Sequence, residues 1–125
     1  MSSSKKRILL VDDEPDITFA LSMGLEDNGF VVDTFNNPLL ALQSFKEKNE
    51  KENKENESYA LALLDVKMPG MNGFELYTEI RKIDDKVKVC FITAFDIQKE
   101  DAGCLIRKPV VIDDLVKRVR AKIQN

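Results

Sequence analysis

Histidine and tryptophan are absent from this 125-residue chain, and cysteine occurs only twice. Without histidine, no Ser-His-Asp or Cys-His catalytic pair exists, and no His-containing metal site. Cys90 and Cys104 are too few for a disulfide-stapled secreted scaffold. They fall on segments expected to be neighbouring strands, where a disulfide is conceivable, but small buried thiols suit a reducing cytosol better. No apolar run approaches the ~18 residues of a membrane-spanning helix, and the opening Met1-Ser2-Ser3-Ser4-Lys5-Lys6 lacks a signal-peptide core. A basic excess is missing too. Lys and Arg number 19 against 22 Asp and Glu, a net charge of -3, which speaks against a dedicated nucleic-acid binder. With 43% hydrophobic residues the chain can bury a core, so general disorder is excluded. One cytoplasmic domain is what remains.

The apolar runs are short and regularly interrupted. Ile8-Leu9-Leu10-Val11 stops at Asp12-Asp13-Glu14 and reads as a strand buried on both faces. Pro15 then opens a helix carrying Ile17, Ala20, Leu21, Gly24 and Leu25 at helical spacing, and Asn28-Gly29 ends it. Phe30–Phe35 is a second strand, and Ala41, Leu42 and Phe45 mark a second helix. Residues 46–58 are nearly all Lys, Glu and Asn, a charged insertion that either extends this helix through Glu-Lys pairs or forms a loop. Tyr59–Leu64 is a third strand ending at Asp65. After Met68-Pro69-Gly70-Met71, Asn72 is a candidate N-cap for a helix with Phe74, Tyr77 and Ile80 on one face. Val87–Ile92 and Cys104–Arg107 are strands ending at Thr93 and Lys108. The last helix shows Ile112, Leu115, Val116, Val119 and Ile123 on one side. Its basic run Lys117, Arg118, Arg120 and Lys122 follows Asp113 and Asp114, an order that complements a helix dipole and does not require DNA. Alternating strands and helices imply a parallel sheet covered on both faces.

The polar residues fall at the strand ends. Asp12-Asp13, Asp65, Thr93 and Lys108 would share one edge of such a sheet, where ligands bind. Each has an ordinary explanation alone: a helix-capping acid, a turn residue, a β-branched strand residue, a solvated lysine. Together they place three carboxylates, a hydroxyl and an ammonium at one rim, and a Mg²⁺ ion would bring their charges to zero. A hard cation, a basic side chain and a hydroxyl donor around a nucleophilic carboxylate are what phosphoryl transfer onto aspartate needs.

The stretches Val11-Asp12-Asp13-Glu14-Pro15, Leu64-Asp65-Val66-Lys67-Met68-Pro69-Gly70-Met71-Asn72-Gly73-Phe74-Glu75-Leu76, Thr93-Ala94 and Lys108-Pro109 together resemble the receiver domain of two-component response regulators. The resemblance runs from Lys6 to about Ile123. It implies a flavodoxin-like α/β fold with five parallel strands in the order 2-1-3-4-5, residues 1–125 forming one domain behind a disordered tail at 1–5. It implies that Asp65 accepts a phosphoryl group from a phosphohistidine on a histidine kinase or histidine phosphotransfer protein. Asp12, Asp13, Asp65 and the main-chain carbonyl of Lys67 would hold Mg²⁺, and Thr93 and Lys108 would meet phosphoryl oxygens. The chain would be a signalling phosphoacceptor and not a metabolic enzyme, passing its state to an output protein, with no membrane or direct nucleic-acid contact. No linker or effector follows Asn125, which favours a stand-alone regulator.

Two departures qualify this expectation. Phe95 to Gly103 must span a parallel crossover that usually takes at least ~10–12 residues, so the fourth helix should be one turn or missing. Three residues before the lysine, where the family usually has an aromatic ring, stands Leu105. Both suggest phosphorylation chemistry joined to an altered output surface. A haloacid-dehalogenase-like phosphatase would need a second aspartate where Lys67 stands. A phosphorylation-independent interaction or dimerisation module is the other alternative.

Overall fold

The structure, a computed structural model, describes residues 5–50, 58–94 and 103–124. Its strands are β1 (Arg7–Val11), β2 (Val31–Phe35), β3 (Leu61–Asp65), β4 (Lys88–Thr93) and β5 (Leu105–Arg107). The helices are α1 (Pro15–Asp27), α2 (Pro38–Glu50), α3 (Gly73–Ile83) and α4 (Ile112–Gln124). All strand pairs are parallel, in the order β2-β1-β3-β4-β5. The expected tail lies outside the described residues except for Lys5, as do 51–57 of the charged insertion and 95–102 of the crossover. Residues 46–50 continue α2, so there the helical option holds.

Alternation along the strands divides the core. Leu9, Val11, Ala62, Leu64, Val89, Phe91 and Leu105 face α2 and α3. Ile8, Leu10, Leu61, Leu63, Ile92 and Ile106 face α1 and α4. A continuous aliphatic run such as Ile8–Val11 is therefore consumed by both layers, each large side chain contributing roughly 1.5–3 kcal/mol of burial. On α1 the inward residues are Thr18, Leu21 and Leu25. Ala20, read from spacing as part of that face, is exposed, and Thr18 takes the place by bonding its hydroxyl to the Pro15 carbonyl at 3.0 Å. Leu76, overlooked in the third helix, is fully buried beside Ile80. Gly29, at φ 95°, makes the turn out of α1 that a side chain would resist.

One expectation is corrected. Cys90 and Cys104 are not thiols but a disulfide, with Cα atoms 4.7 Å apart. The pairing follows from register, since Phe91 sits beside Leu105 and its N–H donates to the Cys104 carbonyl at 2.9 Å. The two cysteines thus face each other one step lower, within disulfide reach.

A polar tie closes the opposite end of the sheet. Arg7 donates to both carboxylate oxygens of Asp33 at 2.9 and 3.0 Å. Tyr59 donates to the same group at 2.6 Å and meets Ser44 at 3.0 Å. Burial, then the Asp33 carboxylate, pushes the Tyr59 phenol above its ordinary value. Among the described residues no helix is long and apolar enough to cross a membrane.

Candidate phosphoryl-accepting site

The strand order changes direction between β1 and β3, opening a crevice at their C-terminal ends. The chain leaves β1 into Asp12, whose N–H donates to the Phe35 carbonyl at 3.1 Å and whose carbonyl accepts from Asn36 at 2.8 Å. One carboxylate oxygen, Oδ1, accepts the Glu14 N–H at 2.9 Å. The other, Oδ2, is buried and pairs with the Lys108 ammonium at 3.0 Å.

Asp65 is the last residue of β3 and 4% exposed; its Oδ1 stands 3.5 Å from the same Lys108 nitrogen. Thr93 closes β4, fully buried, and its carbonyl accepts the Lys108 N–H at 2.9 Å. That bond continues the β4–β5 ladder and aims the lysine, whose side chain is 15% exposed, back across the rim. Asp13, Asp65, Lys67 and Lys108 line one cleft of about 550 Å³, with Glu14, Met68, Pro69 and Ala94 completing its wall. Asp12 and Thr93 lie beneath that surface, both wholly buried.

Beyond Asp65 a turn over residues 66–72 brings the start of α3 back against the end of β3. Gly73 donates to the Val66 carbonyl at 2.8 Å, and a Cβ there would stand 2.4 Å from the Asp65 carbonyl oxygen. Asn72 accepts the Glu75 N–H at 2.8 Å, and Glu75 accepts the Asn72 N–H at 2.9 Å. This reciprocal cap fixes where α3 begins.

The electrostatics are those of crowded like charges around one cation. Burial raises the Asp65 carboxyl to about 6, Asp12 and Asp13 push the same way, and Lys108 opposes them. Burial alone would lower Lys108, but Asp12, Asp65 and Glu14 overcome it and hold the ammonium above its ordinary value. The carboxylate oxygens of Asp12, Asp13 and Glu14 come within 4.8 Å of one another. Asp65 is not part of that trio and joins the group through Lys108. Glu14, given no role by its sequence position, reaches Lys108 at 3.4 Å; the signal available was a third consecutive acid. Buried carboxylates that outnumber the one lysine among them are a donor set suited to a hard divalent cation.

Residues 8–120 match the response regulator receiver domain. The chain belongs to that family. It is 42% identical over 126 residues to a transcriptional regulatory protein, the CpxR homolog of Haemophilus influenzae, covering 95% of this chain and 51% of that protein. It is 32% identical to the response regulator receiver protein CpdR of Brucella abortus, covering 91% and 93% of the two chains. The chain thus spans about half the length of several curated relatives it matches. Among solved structures it resembles the response regulator TrrA of Thermotoga maritima in complex with Mg²⁺ and BeF, at 34% identity and a TM-score of 0.77 over 93% of this chain and 97% of that one. TrrA has also been solved in complex with the histidine kinase ThkA. The flavodoxin-like receiver architecture expected from the motifs is therefore the observed one.

Proposed function

We propose that this receiver domain is a phosphoryl-accepting switch in which Asp65 is the nucleophile and the donor is a phosphohistidine on a histidine kinase or phosphotransfer protein. The observation that carries the reading is the position of Lys108, whose ammonium stands 3.0 Å from Asp12 and 3.5 Å from Asp65. Asp65 attacks phosphorus through a carboxylate oxygen, the phosphorus–nitrogen bond breaks, and the donor imidazole leaves with a proton. Lys108 is placed to take a phosphoryl oxygen in exchange for a carboxylate, and the Thr93 hydroxyl is the nearby neutral donor at the end of β4. Asp12, Asp13, Asp65 and the Lys67 carbonyl are the groups that would hold Mg²⁺. When bound, Mg²⁺ neutralises charge on the phosphoryl oxygens and orients them for in-line attack.

Incubation with acetyl phosphate and Mg²⁺ tests the assignment. Wild-type protein should gain one phosphoryl group by intact mass, and Asp65→Asn should gain none. Persistent labelling of the variant would move the acceptor elsewhere. Mg²⁺ binding without uptake by the wild type would favour the interaction-module alternative.

A further inference from the structure

β5 is the shortest strand, three residues at the sheet edge. Its register to β4 consists of Phe91 with Leu105, Ile92 with Ile106 and Thr93 with Arg107. So short an edge strand draws little holding power from its ladder alone. The Cys90–Cys104 bond lies one step below these pairs and closes a ring across a sequence separation of 14. Thr93 lies inside that ring, and Lys108 follows four residues after it.

The two cysteines are unequally buried. Cys90 is fully buried in the core. Cys104, on the edge strand, is half-buried and packs at the margin of the core shared with α1 and α4. A half-buried sulfur is the one an incoming thiolate, the species that attacks disulfides, can reach. In reducing compartments the disulfides found are mostly catalytic or sensing.

We propose that Cys90–Cys104 is a reversible redox site that sets how firmly β5 is held to β4 and, resting on the phosphoryl-accepting reading, how Thr93 and Lys108 meet a phosphoryl group. A thiolate of a dithiol reductant attacks the Cys104 sulfur, forming a mixed disulfide and expelling Cys90 as a thiolate that takes up a proton. The reductant's second thiolate then attacks its own sulfur in that bond, closing the reductant's disulfide and releasing Cys104, which is protonated in turn. Two electrons and two protons pass to the protein. Oxidised glutathione runs the exchange backwards.

The experiment compares oxidised and dithiothreitol-treated full-length chain under native conditions. Reduction should add 2 Da to the intact mass and expose two alkylation sites. It should also speed amide exchange over residues 105–108 about tenfold, as loss of a local tether worth ~1.4 kcal/mol would. Cys104→Ser, and separately Cys90→Val should the first fold poorly, should show the fast exchange whatever the redox treatment. Acetyl phosphate uptake should differ at least threefold between the wild-type states and be redox-insensitive in the variants. Two thiols that oxidised glutathione fails to join, a bond that native dithiothreitol fails to open, or equal exchange in both states would overturn the proposal. Equal uptake with unequal exchange would overturn its link to the rim. No uptake in either state, with exchange still responsive, would overturn the phosphoryl reading and leave the redox site standing.

Discussion

Asp65, the proposed phosphoryl acceptor, sits in an environment that works against its charge. With a carboxyl raised to about 6 by burial and by Asp12, the metal-free folded protein holds a proton that the unfolded chain, near the ordinary 3.8, releases. The folded state therefore binds more protons between those values, and this group's contribution to stability rises as pH falls through about 6 and levels off below about 4. Asp65→Asn removes the penalty. In the absence of Mg²⁺ it should stabilise the protein at pH 7 by about 1–3 kcal/mol, and the gap should close toward pH 4. Denaturant titrations of both proteins at several pH values check this; a gap that does not vary with pH would refute it. The paired acids and the lysine are visible in the sequence because their residue types are rare at strand ends in that combination. Glu14 is less visible, since an exposed acid at a helix start already has a sufficient reason to be there. Only the distance to Lys108 shows its second contact.

The elements explain why these side chains hold their positions. Gly73 lets α3 start directly against the end of β3. Gly73→Ala would drive a Cβ into the Asp65 main-chain carbonyl at 2.4 Å, and neither backbone can yield without parting strand from helix. A loss of about 1–3 kcal/mol is expected, together with slower phosphoryl uptake because Asp65 shifts. Asn72→Ala is the contrast. It should cost about 1 kcal/mol through the lost cap and leave uptake nearly unchanged. Thermal melts and acetyl phosphate labelling of the two variants separate packing against the proposed acceptor from helix stability in general. Strand and helix order could be read from sequence because the apolar runs and their polar stops are unambiguous. The disulfide could not, because pairing depends on the register of β4 against β5, and a one-residue slip would turn one sulfur to the other face. Leu105 packs inside the core cluster with Phe91, so the position where the family usually has an aromatic ring holds a buried aliphatic chain.

For the molecule as a whole, the cleft gathers acids from one end of a sheet whose other strand ends carry neutral or paired groups. A cation that binds only the folded arrangement must stabilise it by mass action. Mg²⁺ at 100 times its dissociation constant should add about 2.7 kcal/mol and raise the melting temperature by several degrees. Chelation should reverse the change, and Asp13→Asn should greatly weaken it. Differential scanning fluorimetry against Mg²⁺ concentration reads this directly; a melting temperature indifferent to Mg²⁺ would oppose the assigned ligands. At the far end, the Arg7–Asp33–Tyr59–Ser44 tie shares no atom with the cleft. The two poles of the sheet are thus held by separate sets of contacts. An engineer could harden one pole for a hotter host while leaving the timing of the signal as it was.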